Sequence, residues 1–533
     1  MEKSEKILKP ELEELPSVYA NRLGEYYASI SSSEEKKEKG QFFTPIEIAH
    51  FMASISTIKK TTIKILDPGC GTGILSISLI EHLVSKSNDL NTLELAAYET
   101  DISLISYCSE TFEYLKKWLH RKKVVFNYLI YPKDFVLEFE NVIKSTNSIF
   151  NNNNADSFDY IISNPPYFKL SKEDLRTKAA QDVVNGHANI YSIFMAIASS
   201  ILNPEGQLVF ITPRSFSSGN YFHTFRNYFF RKVDIKQAHL FHSRKSSFNK
   251  DNVLQEILIL KCVPKDKTAD RNLVLITSSS GIKDLKNPET ITLPSNLVMD
   301  YNSPDKMLFL PTNQEEREIV ELFKSYRGSL NKYGFQISTG PVVGFRATEF
   351  IKEDGNLNDE NIAPLFWLHN VAKMDLNWPL IRSNKGQYIS VSQTSLPLLV
   401  PNKNYIFLRR FSSKDDKSRL IAAPYFSNAM NSKFIGIENK LNYIYKPHGH
   451  LDRSELVGLA SLLNSNLFDQ FFRILNGNVN VSSTELRLMP LPPLEIINEI
   501  GNELILSNTF DIPLINLIVN EKLQFKPVPN FHE

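Results

Sequence analysis

Between residues 63 and 262, short apolar runs alternate with stretches whose apolar positions recur at helical spacing. IKIL (63–66) runs into a glycine-rich turn and then into ILSISLIEHL, where Ile and Leu return every three or four positions. Short bounded apolar runs read as buried strands, and the three-to-four spacing reads as a helix laid against them. The alternation recurs in LELAAYE (93–99) with a helix from Ile102, VVFNYLI (124–130), DYIIS (159–163), the helix NIYSIFMAIASSIL (189–202) and QLVFIT (207–212). IKQAHLF (235–241) and EILILKC (256–262) supply two closing strands. Such alternation predicts an α/β domain built on a parallel sheet.

The flanks differ. Residues 1–40 read as a polar helical extension, ending in a charge run over 34–39 that Gly40 closes. The asparagine run 151–154 reads as a surface loop. After Cys262 the alternation weakens, and SSSGIKDLKNPETITLPSN is rich in Ser, Pro and Gly. The sequence therefore predicts a first domain over 1–275, a linker over 276–310, and an α+β domain of short strands over 311–533.

Composition narrows the class. With 42% hydrophobic and 11% aromatic residues in 533, the chain is neither fibrous nor disordered. No apolar segment approaches the ~20 residues that span a bilayer, and the start MEKSEKILKPELEELP lacks the apolar core of a signal peptide. Cys70, Cys108 and Cys262 match no zinc spacing, and no carboxylate or cysteine completes a set with His448 and His450. The expectation is a cytoplasmic protein with no membrane partner and no metal. The net charge of +1 neither demands nor excludes nucleic acid, because a neutral total can hide a basic face.

Asp67-Pro68-Gly69-Cys70-Gly71-Thr72-Gly73 lies between a predicted strand and helix. Gly69, Gly71 and Gly73 permit a tight turn and a close backbone approach to a ligand at the helix N-terminus. A plain strand–helix turn is the bland alternative. No Lys-Ser/Thr pair follows, so a phosphate-gripping loop is not expected. The second strand ends at Glu99, a two-acceptor carboxylate suited to the hydroxyls of a ribose. Asp134 and Phe135, after the third strand, offer an acceptor and a ring suited to an adenine, although such a pair is more often ordinary loop and core.

SNPPYFKL (163–170) stops a good strand with two prolines, which fix φ and remove backbone donors. The Asn164 side-chain carbonyl and the Pro165 carbonyl are then two rigid acceptors, suited to one exocyclic NH2. Tyr167 supplies a face on which a planar base can stack. A purine amine is a poor nucleophile because its lone pair is delocalised into the ring. Two acceptors that favour a pyramidal nitrogen would return that density without a strong base.

Asn164-Pro165-Pro166-Tyr167, preceded by Asp67–Gly73, Glu99, Asp134-Phe135 and Gln41-Phe42-Phe43-Thr44-Pro45, resembles the γ-class N6-adenine DNA methyltransferases. The resemblance is close over residues 40–262. It implies a Rossmann-like S-adenosylmethionine-dependent methyltransferase sheet in an α/β fold, followed by an α+β target-recognition domain. It places Thr44, Pro45 and the Asp67 turn around the methionine end of the cofactor, Glu99 on its ribose, and Asp134 and Phe135 on its adenine. Asn164 and Pro165 would hold the target N6, with Tyr167 stacked on a flipped adenine, since N6 is otherwise buried in pairing. Pro166 would line the substrate side. Phe248 matches the position of a second ring, with Phe241 as competitor.

In the C-terminal half, Ile337–Arg346 and Asn476–Arg487 resemble the borders of recognition regions in AccI/PstI-type modification enzymes. Arg409, Arg410 and Phe411 with Lys414, Lys417 and Arg419 form a basic, aromatic cluster, and Lys446–His450 a second loop, suited to phosphates or guanine edges. A solvated surface is the competing reading at each. The expected function is site-specific methylation of adenine N6 in double-stranded DNA by a monomer, protecting the host from a cognate restriction endonuclease on a separate chain. Methylation of RNA or of a protein glutamine amide, or a non-catalytic DNA-binding subunit, are the alternatives.

Overall fold

In the computed structural model of the chain, the described residues are 9–32, 34, 40–41, 43–57, 60–144, 157–186, 188–242, 256–266, 273–380, 382, 385–412, 416–476 and 480–526. The chain divides into two units, the first comprising residues 1–217 and 221–312, the second 218–220 and 313–533.

The apolar runs of the first unit form β1 (Thr62–Pro68), β2 (Thr92–Tyr98), β3 (Val125–Tyr131), β4 (Phe158–Ser163), β5 (Leu202–Pro213), β6 (Val233–Phe241) and β7 (Ile257–Pro264). β8 (Leu273–Ser279) and β9 (Glu289–Pro294) complete a nine-stranded sheet of order 3-2-1-4-5-7-6-8-9. β3, β2, β1, β4 and β5 run parallel, while β7 is antiparallel to both β5 and β6. Starting at β1, the chain winds outward through β2 and β3 and then returns to β4 on the other side of β1. The sheet order therefore reverses between β1 and β4, at whose carboxyl ends a ligand crevice is expected.

Both faces of this sheet are covered, so its strands read as continuous apolar runs. Tyr160, Ile162 and Val209 pack into one buried cluster, with Ile77 and Ile80 of α3 (Ile74–Lys86) and Leu115 of α4 (Ile102–Arg121). Ile161, Leu208 and Phe210 pack into the other, with Phe194 and Ile197 of α7 (Ile190–Ser200). Preceding them are α1 (Pro16–Ile30) and α2 (Ile46–Ser54); between β3 and α7 lie α5 (Phe135–Glu138) and α6 (Leu175–Ala179). Much of the charge run 35–39, the asparagine run and Phe248 lie outside the described residues.

Residues 276–310 are not a linker. They carry most of β8, all of β9 and a short helix Ser295–Val298; β8 pairs parallel to β6, and β9 antiparallel to β8. Val274, Ile276 and Leu293 are fully buried, an alternation that the surrounding Ser, Thr and Pro content obscures.

The second unit is α+β. Gln336–Thr339, Leu441–Tyr445, Tyr405–Arg409 and Ala422–Tyr425 form a four-stranded antiparallel sheet in that order, and a five-stranded sheet includes Ile362–Phe366 and Phe434–Ile437. Helices Arg453–Asn464, Asn466–Leu475, Leu494–Ser507 and Ile512–Lys522 close it. No helix among the described residues is long and apolar enough to cross a membrane.

Candidate active site

The turn after β1 is built by its glycines. Gly69, Gly71 and Gly73 all adopt positive φ, and a Cβ on Gly73 would stand 2.5 Å from a ring carbon of Phe112. No other residue fits there. The Gly69 and Cys70 N–H groups donate to the Tyr98 carbonyl at 2.8 and 2.9 Å, which welds the turn to the end of β2. The Gly71 N–H donates to Glu99 Oε2 at 3.0 Å, and the N–H groups of Thr100 and Asp101 donate to Oε1 at 2.8 and 2.9 Å. Burial raises the Glu99 carboxyl above its ordinary pKa, while these three N–H groups pull it back. A carboxylate held by fixed amides keeps one orientation, with further lone pairs on each oxygen.

Asp67 is fully buried behind the turn, with Ser76 the neighbour that favours its ionised form. Burial pushes its pKa up to about 7, against a partial opposing pull from Ser76. The buried Glu99 lines the site, and the Asp67 carboxyl lies behind the turn that bounds it. Above them lies a cavity of about 660 Å³, large enough for a nucleoside-sized ligand. Gly69, Gly71, Thr44, Glu99, Asp134, Phe135, Asn164 and Pro166 all line it. The strand ends and the switch point thus bring together most of the residues expected from sequence.

Two of them are arranged differently from expectation. Asp134 caps α5: its Oδ1 accepts from Val136 and Leu137 at 2.9 and 3.1 Å, and its Oδ2 lies 3.6 Å from Arg176. Only part of its acceptor capacity faces a ligand. Phe135 is 1% exposed, with its ring packed against Tyr98, Phe139 and Phe194, so little of it is open to a ligand.

Several lining residues escaped the sequence reading. Asp101 caps α4 and also accepts from Tyr27 (2.9 Å) and Gln41 (3.1 Å), which ties the N-terminal extension to the cavity rim. Ile102 lines the cavity while 80% exposed, an apolar side chain left for a ligand to cover. Arg176 also lines it, held in two hydrogen bonds by Asp174 and lying 5.6 Å over the Phe168 ring.

The Asn164 loop leaves β4 beside the turn, where Ser163 Oγ donates to the Pro68 carbonyl at 2.9 Å. Asn164 Nδ2 donates to Thr44 Oγ1 at 3.0 Å, and its Oδ1 accepts from the Tyr167 hydroxyl. That hydroxyl also reaches the Ile211 carbonyl at 2.8 Å, and its burial raises the phenol pKa well above the usual value. Thr44 is 6% exposed, and Pro45 is the N-cap residue of α2. Pro165 is buried; the Tyr167 ring is half-buried and meets Tyr191 edge-on at 6.2 Å.

In the second unit, the expected basic contacts are largely occupied. Arg409 Nε donates to the Val371 carbonyl at 2.7 Å, and Arg410 donates to the Asn439 carbonyl at 3.1 Å. Lys446 pairs with the buried Glu455 at 2.7 Å. Arg419 is fully buried and bonded to Ser412, so it is a core residue and not a surface contact. Lys414 lies outside the described residues, and Lys417 is exposed. A different basic group stands out. Burial lowers the His369 pKa, and Arg382, Lys385 and Arg409 lower it further by their charge. Arg382 is exposed, and Lys385 lies 4.1 Å over the Trp367 ring.

Comparison with known proteins adds a second line of support. The family described as Eco57I restriction-modification methylase matches residues 71–248. The type II methyltransferase M.PstI of Providencia stuartii is 31% identical over 492 residues, 92% of this chain and 94% of its own length. M.BsuBI of Bacillus subtilis is 31% identical over 474 residues, 88% of this chain and 90% of its own. M.AccI of Acinetobacter calcoaceticus is 24% identical over 276 residues, 50% of this chain and 45% of its own.

Proposed function

The chain belongs to the type II methyltransferases of restriction–modification systems, and on that premise we propose that it methylates adenine N6 at a specific site in duplex DNA, using S-adenosylmethionine and flipping the target base. Its role is then to protect host DNA from a cognate endonuclease on a separate chain. The observation that carries this reading is the position of Asn164 on the wall of the same cavity as Glu99 and the glycine turn.

S-adenosylmethionine supplies, when bound, an electrophilic methyl group on a positively charged sulfur. The residues present suit it: a Glu99 carboxylate held by three backbone N–H groups, and a turn whose three glycines leave its backbone open to approach. Glu99 takes the ribose hydroxyls, Ile102 covers the adenine, and Asp134 accepts from its amine with the capacity left by its cap. Thr44 and Pro45 bound the methionine end.

Asn164 Oδ1 and the Pro165 carbonyl accept from the target NH2 and hold its lone pair towards the methyl carbon. As the nitrogen–carbon bond formed and the methyl carbon–sulfur bond broke, releasing the neutral thioether, positive charge would develop on the nitrogen, and these two acceptors would stabilise it. The surplus proton leaves after transfer, so no side-chain base is required. Tyr167 orients Asn164 through its hydroxyl and offers its ring to the extruded base. In the second unit, Arg382 and Lys385 supply phosphate contacts that position the duplex without reading it.

Single-molecule sequencing of DNA from a host expressing this chain tests the reading, beside a host expressing Asn164→Ala. One N6-methyladenine motif, present with the native chain and absent with the variant, is the expected result. Unmodified adenine in both hosts refutes it.

A further inference from the structure

Arg176 stands on the wall of the same cavity as Asp134, and two neighbours fix its guanidinium. Asp174 accepts from Nε and Nη2 at 2.9 and 2.7 Å, a two-point fork that sets the plane of the group. Phe168 backs it, with the ring centre 5.6 Å from Cζ. The third nitrogen, Nη1, lies 3.6 Å from Asp134 Oδ2, too far for a hydrogen bond. The other Asp134 oxygen, Oδ1, accepts from the N–H groups of Val136 and Leu137. Oδ2 and Nη1 are thus an acceptor and a donor side by side, and neither consumes the other.

An acceptor beside a donor matches one edge of adenine. Its 6-amino group donates, and the ring nitrogens on either side of that group, N1 and N7, accept. A carboxylate alone takes the amine and ignores the ring nitrogens. A guanidinium already held by its own fork can donate to one of them at little further cost in ordering. The Arg176 and Asp134 side chains are 24% and 25% exposed, so both are open to a ligand while the fold holds them.

We propose that Arg176 is a cofactor-binding residue that sets specificity for adenine: Nη1 donates to a ring nitrogen next to the 6-amino group, while Asp134 Oδ2 accepts from that group. The pair reads two neighbouring atoms of the base in opposite senses, which neither residue does alone. This rests on the assignment of S-adenosylmethionine, and of its adenine to Asp134, made above.

The test measures calorimetric binding of S-adenosylhomocysteine and of its 1-deaza and 7-deaza analogues, in which carbon replaces N1 or N7 and the amine stays. The native chain is expected to bind one of the two analogues roughly 10- to 100-fold more weakly than S-adenosylhomocysteine, the loss of a hydrogen bond from a charged donor. Arg176→Met should weaken S-adenosylhomocysteine by a similar factor and bind that analogue within about twofold of it, so that the two losses do not add. The same variant should raise the cofactor KM more than it lowers kcat. A native chain that binds all three compounds alike overturns the proposal without any variant having to fold. An Arg176→Met protein that keeps the native penalty against the deaza analogue overturns it as well, and leaves Arg176 as a structural partner of Asp174. Failure of the cofactor assignment looks different: the native chain then binds none of the three.

Discussion

In the first unit, Asp67, Glu99, Asp134 and Asn164 stand at or just past the carboxyl ends of four adjacent parallel strands, and backbone amides or a side-chain hydroxyl hold three of them in place. In the second, the basic residues that looked suited to DNA are bound to carbonyls and a carboxylate of their own fold. Parallel topology delivers polar groups to one edge with spare valence, because the strand ends have no further strand to pair with. The short antiparallel strands of the second unit return on themselves and consume the cations they carry. Polar residues read from sequence therefore came to a cavity wall in one unit and mostly to internal structure in the other.

The sharpest way to break that contrast is Asn164→Ala. Removing one preorganised acceptor from a developing charge should lower kcat by about 10²–10³-fold, while cofactor affinity stays within a few-fold of native. Single-turnover methyl transfer and calorimetric cofactor binding separate the two. An unchanged rate would mean that the cavity wall carries the ligand but not the chemistry.

Asp67→Asn tests how the carboxyl buried behind the turn answers to pH and to a cationic ligand. The Asp67 pKa is raised to about 7 in the fold from an ordinary 3.8, so the folded form prefers the protonated carboxyl. Its stabilising contribution is complete below pH 3.8 and is lost as pH rises through about 7. Native and Asp67→Asn proteins should thus have diverging denaturation midpoints between pH 4 and 7. The ligand-free variant should be the more stable at pH 8, by on the order of 3 kcal/mol. Adding the sulfonium cofactor at pH 8 should raise the native Tm more than that of the variant. Parallel stability curves would show that the fold leaves the Asp67 pKa near its ordinary value.

The same contrast explains what the sequence could reveal. The places of Gly69, Gly71 and Gly73 in a tight turn, and of Glu99 and Asn164 at strand ends, were legible because backbone conformation and the end of a strand are both readable locally. Asp101 was not, since its partners Tyr27 and Gln41 lie 74 and 60 residues away. Nor was the loss of Arg419 to the core, or the membership of β8 and β9 in the large sheet, where Ser and Thr content masked an alternating apolar face. Phe135 was placed in the right cavity but read as an open face, because three surrounding rings come from β2, the end of α5 and α7.

Lys446→Met probes a spent cation. Its partner Glu455 is buried, and losing Nζ leaves that carboxylate with only the Asp452 N–H and other local donors. Because Lys446 is about a quarter exposed, the cost is discounted to about 1 kcal/mol or a little more at pH 7. Thermal unfolding should register it, while the salt dependence of DNA binding should not change.

Arg382→Ala and Lys385→Ala are the complement, with the smallest expected effect on folding. Arg382 is exposed, and Lys385 rests on Trp367 without an ion pair among the described residues. If each meets one phosphate, each substitution should reduce the slope of log affinity against log salt by about 1 and weaken all sequences alike. Binding titrations at several salt concentrations, on the target duplex and on a scrambled one, read both quantities. Loss confined to the target duplex would make these residues readers of bases instead of holders of the backbone. A slope lowered by Lys446→Met but not by either of these would reverse the division between occupied and available cations.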